Sequence, residues 1–315
     1  MSRRYNYPGS RKELDPPVIP RRLKPGDTIG VVAPASPFDI EQLYRGVSLL
    51  ESAGFNVRMS KNVFLKNGYL AGPDTKRAAL VMKMFDDPVV RAIICARGGF
   101  GSMRLLHLLD YGRIHKQPKI LVGFSDVTAL LAALYVRCGL VTFHGPVVAS
   151  LPANDKASLT ALVSAVAGEA PVELSASGGT IIKPGLGTGP VLAGNLTTVC
   201  HLIGTSFQPS TNGHILLFED RGEAPYRVDR MLTQLQMAGF LNGIAGVAFG
   251  LFESCGEPEE ILRIIRDRFK NASYPVLTGM EFGHGERNLT IPVGLRATLD
   301  TERGRLTYHT PATTD

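Results

Sequence analysis

The chain has 315 residues, of which 44% are hydrophobic and 20% charged, and it contains no Trp. That balance suits a folded protein with a sizeable core and excludes an intrinsically disordered chain; no apolar run reaches the roughly 20 residues that cross a bilayer as a helix. The formal net charge of +6 is unevenly placed: residues 1–24 hold seven bases (Arg3, Arg4, Arg11, Lys12, Arg21, Arg22, Lys24) against two acids (Glu13, Asp15), which leaves +1 for the rest.

Residues 1–22 read as a basic, Pro-rich tail draped on the surface, with no apolar stretch of the kind a secretory leader needs. Beyond it, strand-like and helix-like patterns alternate. TIGVVAPA (28–35) is a short β-branched apolar run, and FDIEQLYRGVSLLESAGF (38–55) has helical spacing with Asp39 as a cap and Gly54 as a stop. NVRMSKNV is a weaker strand, and DTKRAALVMKMFDDP (74–88) is an amphipathic helix ended by Pro88. VRAIICARGG (90–99) and PKILVGF (118–124) read as buried strands, 130–140 as a helix and LVTFHGPV (140–147) as a further strand. The alternation predicts an N-terminal α/β domain over 23–150, a parallel sheet with flanking helices.

The Ala- and Ser-rich stretch 151–188 reads as a linker containing one helix. The C-terminal part, 189–310, is less regular. HILLFED (214–220) and the Gly-dotted GIAGVAFGLF are strands, 225–240 and 257–269 are helices, and 289–309 forms strands around a turn at Gly304. This predicts a smaller α+β, barrel-like domain. The four cysteines, Cys95, Cys138, Cys200 and Cys255, are far apart and form no CxxC. They read as reduced, buried thiols of a cytoplasmic protein, and neither they nor the histidines give a metal signature.

Four stretches carry chemistry. In LVGFSDVTALL, Ser125 ends a strand and opens a helix; Gly123-Phe124-Ser125 meets half of the G-x-S-x-G elbow, with Val127 where the second Gly belongs. Ser125 is either a helix cap or a nucleophile. In ARGGFGSMRLL, Gly98, Gly99 and Gly101 follow a strand. They form a tight turn, an anion cradle or a set of backbone donors for an oxyanion; the dinucleotide pattern fails at Arg104. Glu219 and Asp220 end a buried run, an unusual place for two acids, and the following helix carries Arg227, Asp229 and Arg230 at salt-bridge spacing. His284 lies between two glycines and is a candidate base, with His144 in TFHGPV as its rival. Ser125, Glu219 and His284 are the types that a nucleophile, an orienting acid and a base require, in that order; their order in the chain leaves open whether they meet. A non-catalytic module that holds an anionic ligand at the glycine turn and the helix start fits the same residues.

Several stretches together resemble one family, the LD-carboxypeptidases, which include muramoyl-tetrapeptide carboxypeptidase and the microcin C immunity hydrolases. They are LKPGDTIGVVAPAS, GYLAGPDTKRAA, IICARGGFGSMRLL, LVGFSDVTALL, FHGP, GPVLAGNLT, LLFEDRGEAPYRVDRMLTQL and GHGERNLTIPVG, spread from about Leu23 to Leu306. The resemblance implies a serine peptidase with Ser125 as nucleophile, His284 as base and Glu219 as acid. It also implies oxyanion donors at the backbone of Asp126 and Gly99, in a turn that includes Gly98 and Gly101. It further implies a site in the cleft between the two domains, a homodimer, and no metal or coenzyme; separately, nothing in the near-neutral body looks like a nucleic-acid footprint, and no nucleic-acid or membrane partner is expected. The implied substrate is a cytoplasmic muropeptide in peptidoglycan recycling, cut between an L-centre and a terminal D-Ala. Microcin-type relatives hydrolyse a peptide-nucleotide and stack an aromatic, typically Trp, on the nucleotide; this chain has no Trp. For the terminal carboxylate, Arg97, Arg104, Arg221 and Arg287 all stand near the motifs.

Overall fold

The structure is a computed structural model that describes residues 16–315. Residues 1–15 of the basic arm lie outside the described residues. Residues 16–22 lie against the body: Val18 donates to the carbonyl of Gly139 and accepts from Val141, while Arg22 bridges Glu169 at 2.5 Å and Asp315 at 2.7 Å.

In the first half, five strands alternate with helices. The strands are β1 (Thr28–Val32), β2 (Asn56–Met59), β3 (Val90–Cys95), β4 (Ile120–Gly123) and β5 (Thr142–His144). The helices are α1 (Ile40–Ser52), α2 (Asp74–Asp86), α3 (Tyr111–Lys116) and α4 (Thr128–Cys138), followed by α5 (Lys156–Ala167). β3 and β4 are apolar runs because parallel strands are covered on both faces; all of β4 is buried. Asp39 caps α1 by accepting from the N–H of Gln42, and Asp155 caps α5 in the same way from Ser158.

The remaining strands are β6 (Glu173–Ser175), β7 (Ile181–Lys183), β8 (Leu186–Asn195), β9 (Ile215–Arg221), β10 (Gly246–Glu253), β11 (Val276–Leu277), β12 (Ile291–Val293), β13 (Arg296–Asp300) and β14 (Arg305–Tyr308). Helices α6 (Leu196–Leu202), α7 (Pro225–Met237) and α8 (Pro258–Phe269) lie between them. Two sheets result. The first is ordered β12-β5-β4-β3-β1-β2 and the second β6-β14-β13-β8-β9-β10-β11-β7. The edge strands of the second sheet, β6 and β7, are separated in sequence by residues 176–180 alone, and Ala176 pairs with Met280 beyond β11. The sheet therefore curls until its edges approach, which is the barrel-like form the sequence predicts. Within 151–188 the expected helix is α5, and the same stretch also holds both edge strands, β6 and β7.

One strand leaves its sequence neighbours. β12 adds to the first sheet, antiparallel to β5, with Ile291 opposite His144. The second sheet meets the first through its middle: β8, β9 and β10 are parallel, and the N–H of Asn195 at the end of β8 donates to Thr128 Oγ1 at the start of α4. Both sheets thus present the carboxyl ends of parallel strands to one cleft, where open α/β sheets place ligands.

Among the loops at that cleft, a wholly buried arginine acts as a clamp. Arg77 donates to the carbonyls of Pro34, Gly72 and Gly101 and pairs with Asp74. Burial lowers the Arg77 pKa, opposed by Asp74. Removing the cation takes the guanidinium from the buried carbonyls of Pro34 and Gly72, while Gly101 keeps the N–H of Arg104 and Asp74 keeps its pair with Arg104, at a cost of roughly 3 kcal/mol. Arg77→Leu is expected to lower the unfolding free energy by about that amount, seen as a lower urea midpoint at an unchanged m-value; an unchanged midpoint would show that the clamp is dispensable.

Candidate active site

Ser125 follows β4 and opens a single 3-10 turn, Ser125–Val127, before α4. It does not cap: neither the turn nor α4 has a side-chain cap hydrogen bond, so the capping reading gives way. Its φ is +62°, and among the described residues only Ser254 is another non-glycine at positive φ. Such a left-handed serine costs roughly 1–3 kcal/mol and persists only where the surroundings hold it. Two glycines permit the turn. A Cβ on Gly123 would sit 2.6 Å from Val127 Cγ1, and one on Gly98 would sit 2.9 Å from Ser125 Cβ. Val127, which departs from the elbow pattern, fills the space over Gly123.

The glycine turn after β3 is fastened against this serine. Asp126, buried, accepts the N–H of Ser102 at 2.8 Å. Ser36 donates its N–H to the carbonyl of Gly98, and its hydroxyl accepts from Phe100 at 3.1 Å. Gly99 at φ +106° and Gly101 at φ +130° carry the chain through the turn, and a Cβ on Gly99 would lie 2.4 Å from Ser36 Oγ. Gly98, Gly99, Gly101 and Asp126 therefore lie in one rigid pair of loops beside Ser125.

His284 lies on the loop that leaves the second sheet at Leu277 and enters the first at Ile291. Its Nδ1 is 2.6 Å from Glu219 Oε2, and its ring packs at a tilt of 54°, centroids 4.8 Å apart, against Phe124, the neighbour of Ser125. Glu219, near the end of β9, is fully buried; His284 is one-tenth exposed. A Cβ on Gly283 would lie 2.7 Å from Glu219 Oε2, so the glycine is what lets the loop approach. The loop is braced by Asn288, which accepts from Gly283, and by the Asn288 N–H, which donates to Ser158. Arg287 adds ion pairs to Asp155 at 2.6 Å and Glu281 at 3.1 Å.

The paired acids part company. Asp220 accepts from Asn195, from Thr197 and from the N–H of Arg221, and so ties β9 to α6; burial raises its pKa, against these bonds. Burial alone would raise the Glu219 carboxyl too, but the two imidazoles beside it, His144 at 3.8 Å and His284 in hydrogen-bond contact, outweigh it and hold the carboxyl at about 2. His144, buried at the end of β5, places Nε2 at 3.8 Å from Glu219 Oε1. Of the four arginines considered for a substrate carboxylate, Arg104 pairs with Asp74 and Arg287 with two acids. Arg97 donates to the carbonyl of Pro37, and among the described residues neither Arg97 nor Arg221 pairs with an acid. In the helix after the acids, Arg227 pairs with Glu223, and Asp229 reaches across to Arg268 of α8 at 2.8 Å.

Residues 29–145 match the LD-carboxypeptidase N-terminal domain and residues 188–299 the LD-carboxypeptidase C-terminal domain. The chain belongs to the LD-carboxypeptidase family. It is 40% identical to a putative carboxypeptidase of Streptomyces coelicolor over 94% of this chain and 97% of that one. It is 37% identical to a probable murein peptide carboxypeptidase of Bacillus subtilis, over 90% of this chain and 91% of that one. The crystal structure of an MccF-like protein from Bacillus anthracis superposes with a TM-score of 0.88 at 28% identity, covering 93% of this chain and 99% of that one. This LD-carboxypeptidase is thus an enzyme, and the reading as a non-catalytic binding module gives way. Among the described residues no helix is long and apolar enough to cross a membrane, all four cysteines are buried free thiols, and no cluster of three or more metal-ligating side chains occurs.

Sequence reasoning did not find Arg77, nor the contact between His144 and Glu219. The first gives no local signal, because its partners are backbone carbonyls of three separate loops; the second is hinted at only by a histidine at a strand end.

Two outcomes follow from this geometry. Gly98→Ala drives a methyl into Ser125 and is expected to lower kcat about 100-fold, with KM little changed; wild-type kcat would show that the turn gives way freely. For Glu219, a folded-state carboxyl held at about 2 against an ordinary 4.5 contributes stability that is present above the ordinary value and lost as pH falls through that window. Urea unfolding of Glu219→Gln is expected to have a flatter pH dependence there than the wild type, and parallel curves would contradict it.

Proposed function

We propose that the chain is a serine L,D-carboxypeptidase that releases terminal D-Ala from muropeptides, muramoyl-tetrapeptide among them, in the cytoplasmic recycling of peptidoglycan. The observation that carries this reading is the Glu219–His284 couple at 2.6 Å, packed on the neighbour of a serine held at positive φ. The name of the Bacillus subtilis relative, a probable murein peptide carboxypeptidase, supports the substrate class.

With Nδ1–H donated to Glu219, the His284 lone pair lies on Nε2. Nε2 takes the proton of Ser125 as its Oγ attacks the scissile carbonyl. The resulting oxyanion is held by backbone N–H groups of Gly99 and Asp126, in the turn that Gly98 and Gly101 shape. His284 returns the proton to the amine of D-Ala as the C–N bond breaks, then takes a proton from the water that attacks the acyl ester and passes it to Ser125 Oγ as that C–O bond breaks. The buried charge of Glu219 stabilises the imidazolium in both steps. Arg97 and Arg221, without acid partners among the described residues, are the guanidiniums available to the terminal carboxylate. The working unit is a homodimer, with no metal or coenzyme and no nucleic-acid or membrane partner.

A microcin-type peptide-nucleotide hydrolase is the second reading, favoured by the likeness to the MccF-like protein; the absence of Trp speaks against it. Incubation with muramoyl-tetrapeptide, followed by mass spectrometry, is expected to show free D-Ala, and Ser125→Ala to lower its release by roughly 10³-fold or more. Near-wild-type release by that variant would exclude the serine mechanism. Calorimetric preference for an aminoacyl-adenylate analogue over the muropeptide would replace the substrate assignment.

A further inference from the structure

Glu219 is flanked by two imidazoles, and the mechanism above uses one. The other belongs to His144, whose side chain has no solvent exposure. Among the described residues neither of its ring nitrogens has a hydrogen-bond partner, and the same is true of Glu219 Oε1, the oxygen that His284 leaves unused. Three orphaned buried polar atoms in one place are costly, at about 1–3 kcal/mol each. The 3.8 Å between His144 Nε2 and Glu219 Oε1 is about 1 Å more than an N–H···O bond needs. The backbone of His144 is fixed on both sides, opposite Gly123 of β4 and Ile291 of β12. Its ring meets Phe124 edge-on at 6.0 Å and Phe282 at 5.6 Å, so it is confined to the Glu219 side of the pocket.

We propose that His144 is a positioning residue: its Nε2–H holds Oε1 of Glu219, so that the carboxylate stays ionised and keeps Oε2 aimed at Nδ1 of His284.

Among the described residues this carboxylate has no other support. His284 faces it from the loop before β12 and His144 from β5, while Asp220, next to it on β9, is engaged with Asn195, Thr197 and Arg221. Among the described residues no Lys or Arg pairs with Glu219. Without His144, a wholly buried carboxylate would keep a single donor. The Glu219–His284 couple would then take up its proton at higher pH, and a protonated Glu219 cannot stabilise the imidazolium.

This inference rests on the proposed Ser125–His284–Glu219 mechanism, so release of D-Ala by the wild type is measured first, and its absence would fail that mechanism rather than the role of His144. Given activity, His144→Phe keeps the buried volume and His144→Gln keeps an N–H donor. The expected result for His144→Phe is a kcat at least about tenfold lower with KM nearly unchanged, and an acid limb of the pH profile moved upward; the Gln variant is expected to regain most of both. A wild-type profile in His144→Phe, or an equal loss in both variants with the limb unmoved, would overturn the proposal. Proton NMR of otherwise unsubstituted protein supplies a test that needs no His144 variant. The low-field Nε2–H resonance of His144 is expected in the wild type and is expected to shift or vanish in Glu219→Gln; a His144 signal indifferent to that change would overturn the proposal even if neither His144 variant folds.

Discussion

Glu219 holds a negative charge without solvent, and much of the site geometry can be understood as what that charge requires. A carboxylate in a dry interior takes up a proton unless donors hold both of its oxygens. Here two imidazoles from different parts of the chain flank it: His284, in hydrogen-bond contact, from a loop between the two sheets, and His144, at 3.8 Å, from the end of β5. The charge in turn fixes the tautomer of His284, because a short contact at Nδ1 leaves Nε2 as the basic nitrogen.

Bringing these groups together depends on how the two sheets are joined. β12 crosses from the second half of the chain to the edge of the first sheet, so the loop that carries His284 is anchored at one end in each sheet. Arg287, Asn288 and the cap of α5 brace its middle. A loop tethered in this way gives up its conformational freedom on folding and does not lose it again when substrate binds, which is the physical meaning of preorganisation.

The serine side of the cleft is rigid for a different reason. Ser125 sits at positive φ, and the turn exists because Gly98 and Gly123 leave space for it. The same glycines bring two stretches of backbone close together, and Asp126 and Ser36 bind them with hydrogen bonds. Arg77 fastens the outer side of this assembly by collecting carbonyls from three loops. Strain at one residue is thus balanced by many ordinary interactions around it.

The alternation of apolar strands and amphipathic helices was legible because burial on both faces of a parallel sheet leaves continuous apolar runs, as in β3 and β4. Less legible were β6, β7 and β8, short or rich in glycine, and helices α3 and α6, too short for a clear period. Ser125, Glu219 and His284 stood out by residue type beside glycines or at a strand end, and the family motifs gave them roles. The sequence by itself thus determined which strands and helices form in the first half and which side chains have the chemistry for acyl transfer, since both are properties of local pattern and residue type. Only the tertiary structure decided that β12 leaves its neighbours for the other sheet, that Asp220 ties a helix while Glu219 meets two imidazoles, and that Ser125 does not cap α4. Each of those depends on contacts between residues far apart in the chain, and on which buried polar atoms find partners, and neither leaves a mark on any single stretch of sequence.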